Sequence, residues 1–153
     1  MKPNVMVVDD NTSILYVYKR VLEKSYHVLE ADSGSKALRI MKDDVPDIVL
    51  LDLMMPKMDG WEVYARMQAD KRTKGIPVIF VTASDENAAM ETESAKKRKI
   101  SVALTEDNYI QKPFSLRQVE YKIKKLILSK EQLSKNKVSD DNADNMPENH
   151  LAS

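Results

Sequence analysis

Four large apolar residues, 48–51, end abruptly in the carboxylate of Asp52. The run is continuous rather than alternating, which is typical of a strand buried on both faces of a parallel sheet. Pro56 and Gly60 follow closely and mark a loop. In an open parallel α/β sheet, ligands bind outside the carboxyl ends of the strands. The sequence therefore predicts that Asp52 lies at the end of a central strand, in a ligand-binding crevice.

Three other apolar segments, at 5–8, 78–81 and, more weakly, 109–111, also end in polar side chains. The residues that follow them are Asp9 and Asp10, Thr82, and Lys112 with Pro113. Because the carboxyl ends of parallel strands meet at one edge of a sheet, these groups are expected to share the crevice of the central acid. The pattern predicts three carboxylates, a hydroxyl and an ammonium in one place.

Helical patterns separate these segments, and a more polar strand is predicted at His27–Ala31. A strand and a helix alternating five times indicate right-handed crossovers and an α/β fold, (βα)5, with a doubly wound parallel sheet. The first, third and fourth strands are continuously apolar and therefore central, whereas the second and fifth are more polar and peripheral. The prediction is a five-stranded sheet in the flavodoxin-like order 2-1-3-4-5, with helices on both faces.

The first helix is predicted to begin after capping residues at 10–13. Its apolar positions are spaced i, i+3, i+4, i+7 and i+8, which indicates one buried face. The residues of this predicted stripe are Ile14, Val17, Tyr18, Val21 and Leu22. Leu15 and Tyr16 fall outside the stripe and are expected to be exposed, either as a docking surface or as scattered surface residues.

Composition excludes several classes of function. There is no cysteine, so disulfides and thiolate sites are excluded, and the three glycines form no phosphate-binding loop, so no nucleotide cofactor is expected. Lys plus Arg and Asp plus Glu are equal at 24 each, which gives no general attraction to nucleic acid or to an anionic membrane. No apolar run of about 18 residues and no signal segment is present, and a cytoplasmic location is expected.

Beyond residue 128 the sequence becomes polar. We predict one domain over residues 1–128 and a polar tail or linker over residues 129–153, which we expect to be disordered. A spacing of seven between Val119, Leu126 and Leu133 would permit a short helical extension, but it is too short to predict a coiled coil.

The polar residues at the strand ends, together with Met55-Pro56 and Asp59-Gly60, resemble the receiver domain of two-component response regulators over about residues 4–128. The resemblance implies that Asp52 accepts a phosphoryl group. It further implies that Asp10, Asp52 and the backbone carbonyl of Met54 bind Mg²⁺, and that Asp9 holds a metal-bound water. A cluster of acids alone is self-repelling, and a hard divalent cation with oxygen ligands relieves that repulsion.

The resemblance also assigns roles around the acids. Lys112 is expected to pair with Asp52 in the empty site and with a phosphoryl oxygen in the filled one, and Thr82 to donate its hydroxyl to that group. Pro113 is expected to follow a cis peptide bond, and Tyr109 matches the switch aromatic. The implied partners are a histidine kinase or phosphotransfer protein and a downstream protein. Formation of a homodimer is left open, and no direct binding of nucleic acid is expected.

The segment between Thr82 and Lys112 is longer than in the family, and Thr105-Glu106 stands where a Gly-Ala pair is usual. The added residues lie between Glu91 and Lys99 and include four consecutive basic residues, which are interpreted as a solvated face. We expect the addition to lengthen or distort the fourth helix. It is expected to lie on the face formed by the fourth helix, fifth strand and fifth helix, and to change dimerisation or the choice of partner.

Two other functions were weighed. A phosphohydrolase with an aspartyl nucleophile would need a general acid two residues after Asp52, where Met54 stands, and a cap over its substrate. A receiver-like module that only binds partners would not need the complete set of acids. The receiver interpretation makes the chain a phosphorelay acceptor rather than an enzyme, apart from its own phosphorylation and dephosphorylation.

Overall fold

The computed structural model describes the backbone of residues 1–144 and the side chains of residues 1–137. Five parallel strands form one sheet in the order β2-β1-β3-β4-β5, which confirms the predicted topology. The strands are β1 (Asn4–Val8), β2 (His27–Ala31), β3 (Ile48–Asp52), β4 (Val78–Thr82) and β5 (Tyr109–Gln111). All five residues of β3 and of β4 are buried, as their continuous apolar sequences indicate.

Helices cover both faces of the sheet. They are α1 (Thr12–Leu22), α2 (Gly34–Asp43), α3 (Gly60–Gln68), α4 (Glu86–Met90), α5 (Glu93–Lys97) and α6 (Leu116–Asp144). Residues of α1 and α6 share one buried apolar cluster, and residues of α2 to α5 share the other. The sheet therefore separates two cores, and the loops at its carboxyl edge are held between helices packed from both sides.

The first helix is rotated relative to the prediction. Leu15 is only 6 % exposed and packs against the sheet, whereas Val17 is 46 % exposed; the expected burial of Tyr18 and Leu22 and the exposure of Tyr16 are confirmed. Residues 15, 18 and 22 also satisfy helical spacing, so periodicity alone was compatible with two different buried faces of the helix. The phase is set by the start of the helix at Asn11, whose side chain accepts hydrogen bonds from the backbone of residues 13 and 14.

The long connection between β4 and β5 forms two short helices instead of one. Asp85 caps α4, and Thr92 caps α5 after a break at residue 91. Arg98, directly after α5, forms an ion pair with Glu62 of α3 at 2.9 Å. The expected distortion of the fourth helix is thus a break, and Arg98 links the added segment to α3.

A two-bond motif ends α5. The N–H of Ile100 donates to the carbonyl of Ala95 at 3.0 Å, and that of Lys99 donates to Lys96 at 3.1 Å. This is the Schellman pattern, which requires a left-handed residue, and Lys99 has φ 53°. Glycine adopts this conformation at the lowest cost, so the sequence places a less suitable residue here.

We therefore expect Lys99→Gly to stabilise the fold by about 0.5–1 kcal/mol, because it relieves the left-handed strain of a side chain that is exposed. The matched control is Lys97→Gly at the last position of α5, which should instead destabilise by about 1 kcal/mol. Urea unfolding at constant m-value measures both changes. Equal effects of the two substitutions would contradict the role given to residue 99.

The last helix continues beyond the predicted end of the domain, through Asp144. The predicted boundary at residue 128 is thus not a break in secondary structure, and the proposed division into residues 1–128 and 129–153 stays a prediction. The last nine residues of the predicted tail lie outside the described part of the chain. Within that part, no helix is both long and apolar enough to cross a membrane.

Candidate functional site

Three carboxylates converge at the carboxyl edge of the sheet. One oxygen from each of Asp9, Asp10 and Asp52 lies within 4.8 Å of the others. The register of the sheet causes this, because Val8 of β1 is level with Leu51 of β3 and the acids follow directly. Asp9 and Asp52 are buried, at 2 % and 4 % exposure, while Asp10 is exposed. The cluster is therefore open to solvent at Asp10.

Lys112 also reaches the cluster. Its ammonium lies 3.3 Å from a carboxylate oxygen of Asp9 and 3.3 Å from one of Asp52. The Lys112–Pro113 peptide bond is cis, and the N–H of Lys112 donates to the carbonyl of Thr82 at 2.8 Å. The ammonium bridges two acids, whereas the family resemblance implied a pairing with Asp52 alone.

Backbone donors hold the second oxygen of each buried acid. The N–H of Asn11 donates to Asp9 at 2.9 Å, and the N–H of Met54 donates to Asp52 at 3.0 Å. The side chain of Met54 is 63 % exposed and leaves the crevice open. Both buried carboxylates are thus oriented by the loops that follow their strands, as a binding site of fixed geometry requires.

Burial raises the pKa of Asp52 above its usual range, and the charge of Asp9 raises it further, while Met54 N–H and Lys112 oppose the shift. For Lys112 burial acts to lower the pKa, but the charges of Asp52 and Asp9 outweigh it and raise the pKa. Three acids with one ammonium leave excess negative charge in a partly buried place. An additional cation would stabilise this arrangement.

The donor set fits Mg²⁺. All candidate ligands are hard oxygens, and the exposed side of the cluster leaves room for water and phosphate oxygens, which Mg²⁺ retains and binds. Among the described residues, Asp9, Asp10 and Asp52 form the group of acids close enough together to hold a metal. Histidine takes no part in this group.

Thr82 and Tyr109 are connected through Ser84, which the sequence pattern did not indicate. Ser84 donates its N–H to the Thr82 hydroxyl oxygen at 3.3 Å, and its carbonyl accepts a hydrogen bond from the Tyr109 hydroxyl. Both Thr82 and Tyr109 are buried. The sequence does contain a signal for Ser84: it is a small polar residue two positions after Thr82, which ends β4.

Tyr18, which the sequence placed on a buried helix face without a role, packs against the residue that follows the Lys112–Pro113 turn. Its ring stacks on that of Phe114, with centroids 6.0 Å apart and planes inclined by 13°. Nothing in a one-dimensional pattern indicates where a buried tyrosine hydroxyl points, so this residue could be identified only from the structure.

Residues 5–124 match the family model described as "Response regulator receiver domain". The chain is 34 % identical over 128 residues to the alkaline phosphatase synthesis transcriptional regulatory protein PhoP of Bacillus subtilis, which covers 83 % of this chain and 49 % of that protein. It is 35 % identical over 83 residues to the protein PilH of Pseudomonas aeruginosa, covering 54 % and 69 % of the two chains. The chain spans about half the length of most of the curated relatives it matches.

Solved structures show the same fold. A CheY-like response regulator receiver domain protein from Methanospirillum hungatei superposes with a TM-score of 0.70 at 24 % identity, over 86 % of this chain and 98 % of that one. The receiver domain of a Francisella response regulator gives 0.67 at 27 % identity, over 84 % and 99 %.

Proposed function

The chain belongs to the response regulator receiver domain family, and from this premise we propose that it accepts a phosphoryl group on Asp52 from a histidine kinase or a phosphotransfer protein. The observation that carries the proposal is the convergence of three acids and the Lys112 ammonium within one crevice. The buried acid of the central strand is oriented by a backbone donor and faces solvent through the exposed side of the cluster.

In the proposed step a carboxylate oxygen of Asp52 attacks phosphorus and forms a new P–O bond. The bond from phosphorus to the donor breaks, and the donor group leaves with the electron pair, so Asp52 becomes an acyl phosphate. Lys112 neutralises charge on the incoming phosphoryl oxygens, and the Thr82 hydroxyl donates a hydrogen bond to one of them. These positive and donor groups reduce the repulsion between two anionic reactants.

Mg²⁺ is the proposed cofactor; Asp10, Asp52 and the backbone carbonyl of Met54 would hold it, and Asp9 would hold a water bound to it. When bound, the cation supplies positive charge that neutralises the acids and the phosphoryl oxygens. The role of the protein residues is to fix the carboxylates: the strand ends bring them together, and the N–H groups of residues 11 and 54 hold them in place.

The proposed structural link between Asp52 and a downstream protein consists of Thr82, Ser84 and Tyr109. Movement of Thr82 toward a phosphoryl group would disturb the hydrogen bond that its hydroxyl oxygen accepts from the N–H of Ser84. The carbonyl of Ser84 in turn accepts a hydrogen bond from the Tyr109 hydroxyl. A change at Asp52 would therefore reach the surface around Tyr109.

The phosphohydrolase alternative is less well supported. Met54 occupies the place of the general acid that such an enzyme needs, and the described residues form no cap above the crevice. A module that only binds partners would not require a buried carboxylate with a raised pKa next to two further acids. Such a site is costly to maintain unless it binds a cation or performs chemistry.

Incubation with acetyl phosphate and Mg²⁺, followed by intact-mass measurement, tests the proposal directly. We expect one added phosphoryl group per chain, in a linkage that is lost on treatment with hydroxylamine, because an acyl phosphate is electrophilic at carbon. The same incubation with EDTA is the control and should give no addition. A protein that stays unmodified at saturating Mg²⁺ would overturn the proposed reaction.

Mg²⁺ alone should stabilise the fold. Because the cation binds the native cluster of acids and not the unfolded chain, we expect a gain of about 2–3 kcal/mol at a concentration of one hundred times Kd. Thermal unfolding with and without millimolar-range Mg²⁺ measures this gain. Asp52→Asn, which keeps the shape but removes one ligand charge, should respond much less, and an unchanged melting temperature in the wild-type protein would count against the metal site.

A further inference from the structure

Residues 86–97 form two helices although their local sequence favours one. Nine of these twelve residues are Ala, Glu, Lys or Met, which are strong helix formers, and none is Gly or Pro. The acids come first and the lysines last, in the order that the helix dipole favours. Yet α4 ends at Met90 and α5 begins at Glu93. Contacts with the rest of the fold must therefore contribute to the break.

The carbonyl of Ala89 is the group for which the two arrangements compete. In a continuous helix it would accept a hydrogen bond from the N–H of Glu93, four residues further on. Instead it accepts from the indole N–H of Trp61 at 3.0 Å and from the hydroxyl of Thr92 at 3.2 Å. Trp61 and Ala89 are both only 2 % exposed, so their bond lies in the core. The indole thus takes the place of the helical donor.

The residue that follows Trp61 holds the other end of the segment. Glu62 forms the 2.9 Å ion pair with Arg98, which directly follows α5. Trp61 and Glu62 together form a clamp on both sides of the break, the α3 clamp. The clamp is attached to the crevice, because the N–H of the preceding Gly60 donates at 3.1 Å to the carbonyl of Leu53, the residue after the phosphoacceptor.

The loop after β4 connects the crevice to α4. The N–H of Ser84 donates to the hydroxyl oxygen of Thr82, and the next residue, Asp85, caps α4. Under the proposed function Thr82 moves toward the phosphoryl group and draws the start of α4 with it. Because α4 has only five residues, it moves as one unit. A shift of about 1 Å away from Trp61 would lengthen the 3.0 Å bond beyond hydrogen-bond distance.

Space is available for this movement. An open cavity of about 490 Å³ lies beside α4, and its lining includes Met54, Thr82, Ser84, Trp61 and Ala89. The cavity therefore adjoins both the crevice loops and the indole. Because it is not filled by side chains, α4 can shift without the overpacking that a close-packed core would impose.

We propose that the α3 clamp keeps residues 86–97 in two helices in the unphosphorylated protein, and that phosphorylation of Asp52 releases Trp61 and allows one continuous helix. The inference rests on the proposed function of Asp52. Ala89 and Ala95 are both buried in the two-helix form, but in a single helix they would point about 120° apart. Joining the helices would therefore turn one of these faces outward and change the surface that a partner protein meets.

The backbone ¹³Cα chemical shift of residue 92 reports the state of the break, because Thr92 is extended in the structure, with ψ 150°. We expect this shift to become helical when excess acetyl phosphate and Mg²⁺ keep the wild type phosphorylated, and to stay extended with acetyl phosphate and EDTA. A phosphorylated protein, verified by intact mass, in which residue 92 stays extended would overturn the inference. A wild type that takes up no phosphate would overturn the proposed reaction instead, and the variants below would still test the clamp.

Trp61→Phe combined with Thr92→Ala removes both side-chain donors to the Ala89 carbonyl and keeps an aromatic ring beside Phe80. Without phosphate, the ratio of one-helix to two-helix molecules should rise at least about tenfold over the wild type, because two hydrogen bonds that favour the break are lost. Thr92→Ala alone is the matched control: it keeps the indole donor and should stay in two helices. A break that persists in the double variant, or is lost in the single one, would overturn the role of the clamp. If the double variant does not fold, the phosphorylated wild type decides.

Discussion

Asp52→Ala is expected to lower phosphoryl uptake from acetyl phosphate by at least about a thousandfold, because the variant lacks the nucleophile. The measurement is the intact mass of the chain after incubation with acetyl phosphate and saturating Mg²⁺. Addition of one phosphoryl group to the Asp52→Ala protein would place the acceptor elsewhere.

The variant should remain folded, which makes the loss of uptake interpretable. The folded-state pKa of Asp52 is raised, so its contribution to stability is present below the ordinary carboxyl pKa and is lost as the pH rises through the folded-state value. At neutral pH the charged side chain is therefore not a source of stability. The melting temperature of Asp52→Ala without Mg²⁺ should be no lower than that of the wild type.

Lys112→Ala removes the ammonium that is proposed to contact the phosphoryl group, while the nucleophile Asp52 stays in place. This variant keeps all three acids and should retain some uptake, whereas it loses the ammonium that contacts Asp9 and Asp52 in the empty site. We expect its phosphorylated form to fail in the change around Tyr109. Uptake as low as that of Asp52→Ala would show that Lys112 is needed for the transfer itself.

Gly60→Ala is expected to destabilise the fold by about 3 kcal/mol, because there is no space for a side chain at this position. A Cβ atom would lie 2.4 Å from the carbonyl oxygen of Asp52 and 2.7 Å from the Cα of Leu53. Both are backbone atoms, and the N–H of Gly60 also donates to the Leu53 carbonyl at 3.1 Å. The loop must shift as a whole, so the carboxylate of Asp52 should be displaced and phosphoryl uptake should fall as well.

Gly75→Ala is the control for this substitution. A Cβ atom at Gly75 meets nothing within 4 Å, and the residue has no left-handed backbone conformation. Its effect should be within about 0.5 kcal/mol of zero. At Gly34 the nearest atoms belong to the side chains of Val63 and Met58, so alanine there should have an intermediate cost. Chemical denaturation of the three variants measures the series, and equal values for Gly60→Ala and Gly75→Ala would contradict the tight contact.

The sequence alone determined the sheet and the three acids and the ammonium that meet at its carboxyl edge. A strand buried on both faces must be apolar at successive positions, so continuous runs of apolar residues predicted β3 and β4. Apolar runs that include polar residues predicted β2 and β5. Parallel strands end at the same edge, so the polar residue after each run marked the site. Asp52 and Lys112 were therefore identified although 60 positions separate them.

Tertiary packing decided what local patterns left open. The phase of α1 followed from its cap and from contact with the sheet, because two helical stripes fitted the same sequence. The break between α4 and α5, and the anchoring of Arg98 on Glu62, depend on a partner 36 positions away. The shared ammonium of Lys112 and the hydrogen bond from Trp61 to Ala89 depend on distances of a few ångströms between groups from different elements. Such distances are set by the packed core, and no spacing along the chain encodes them.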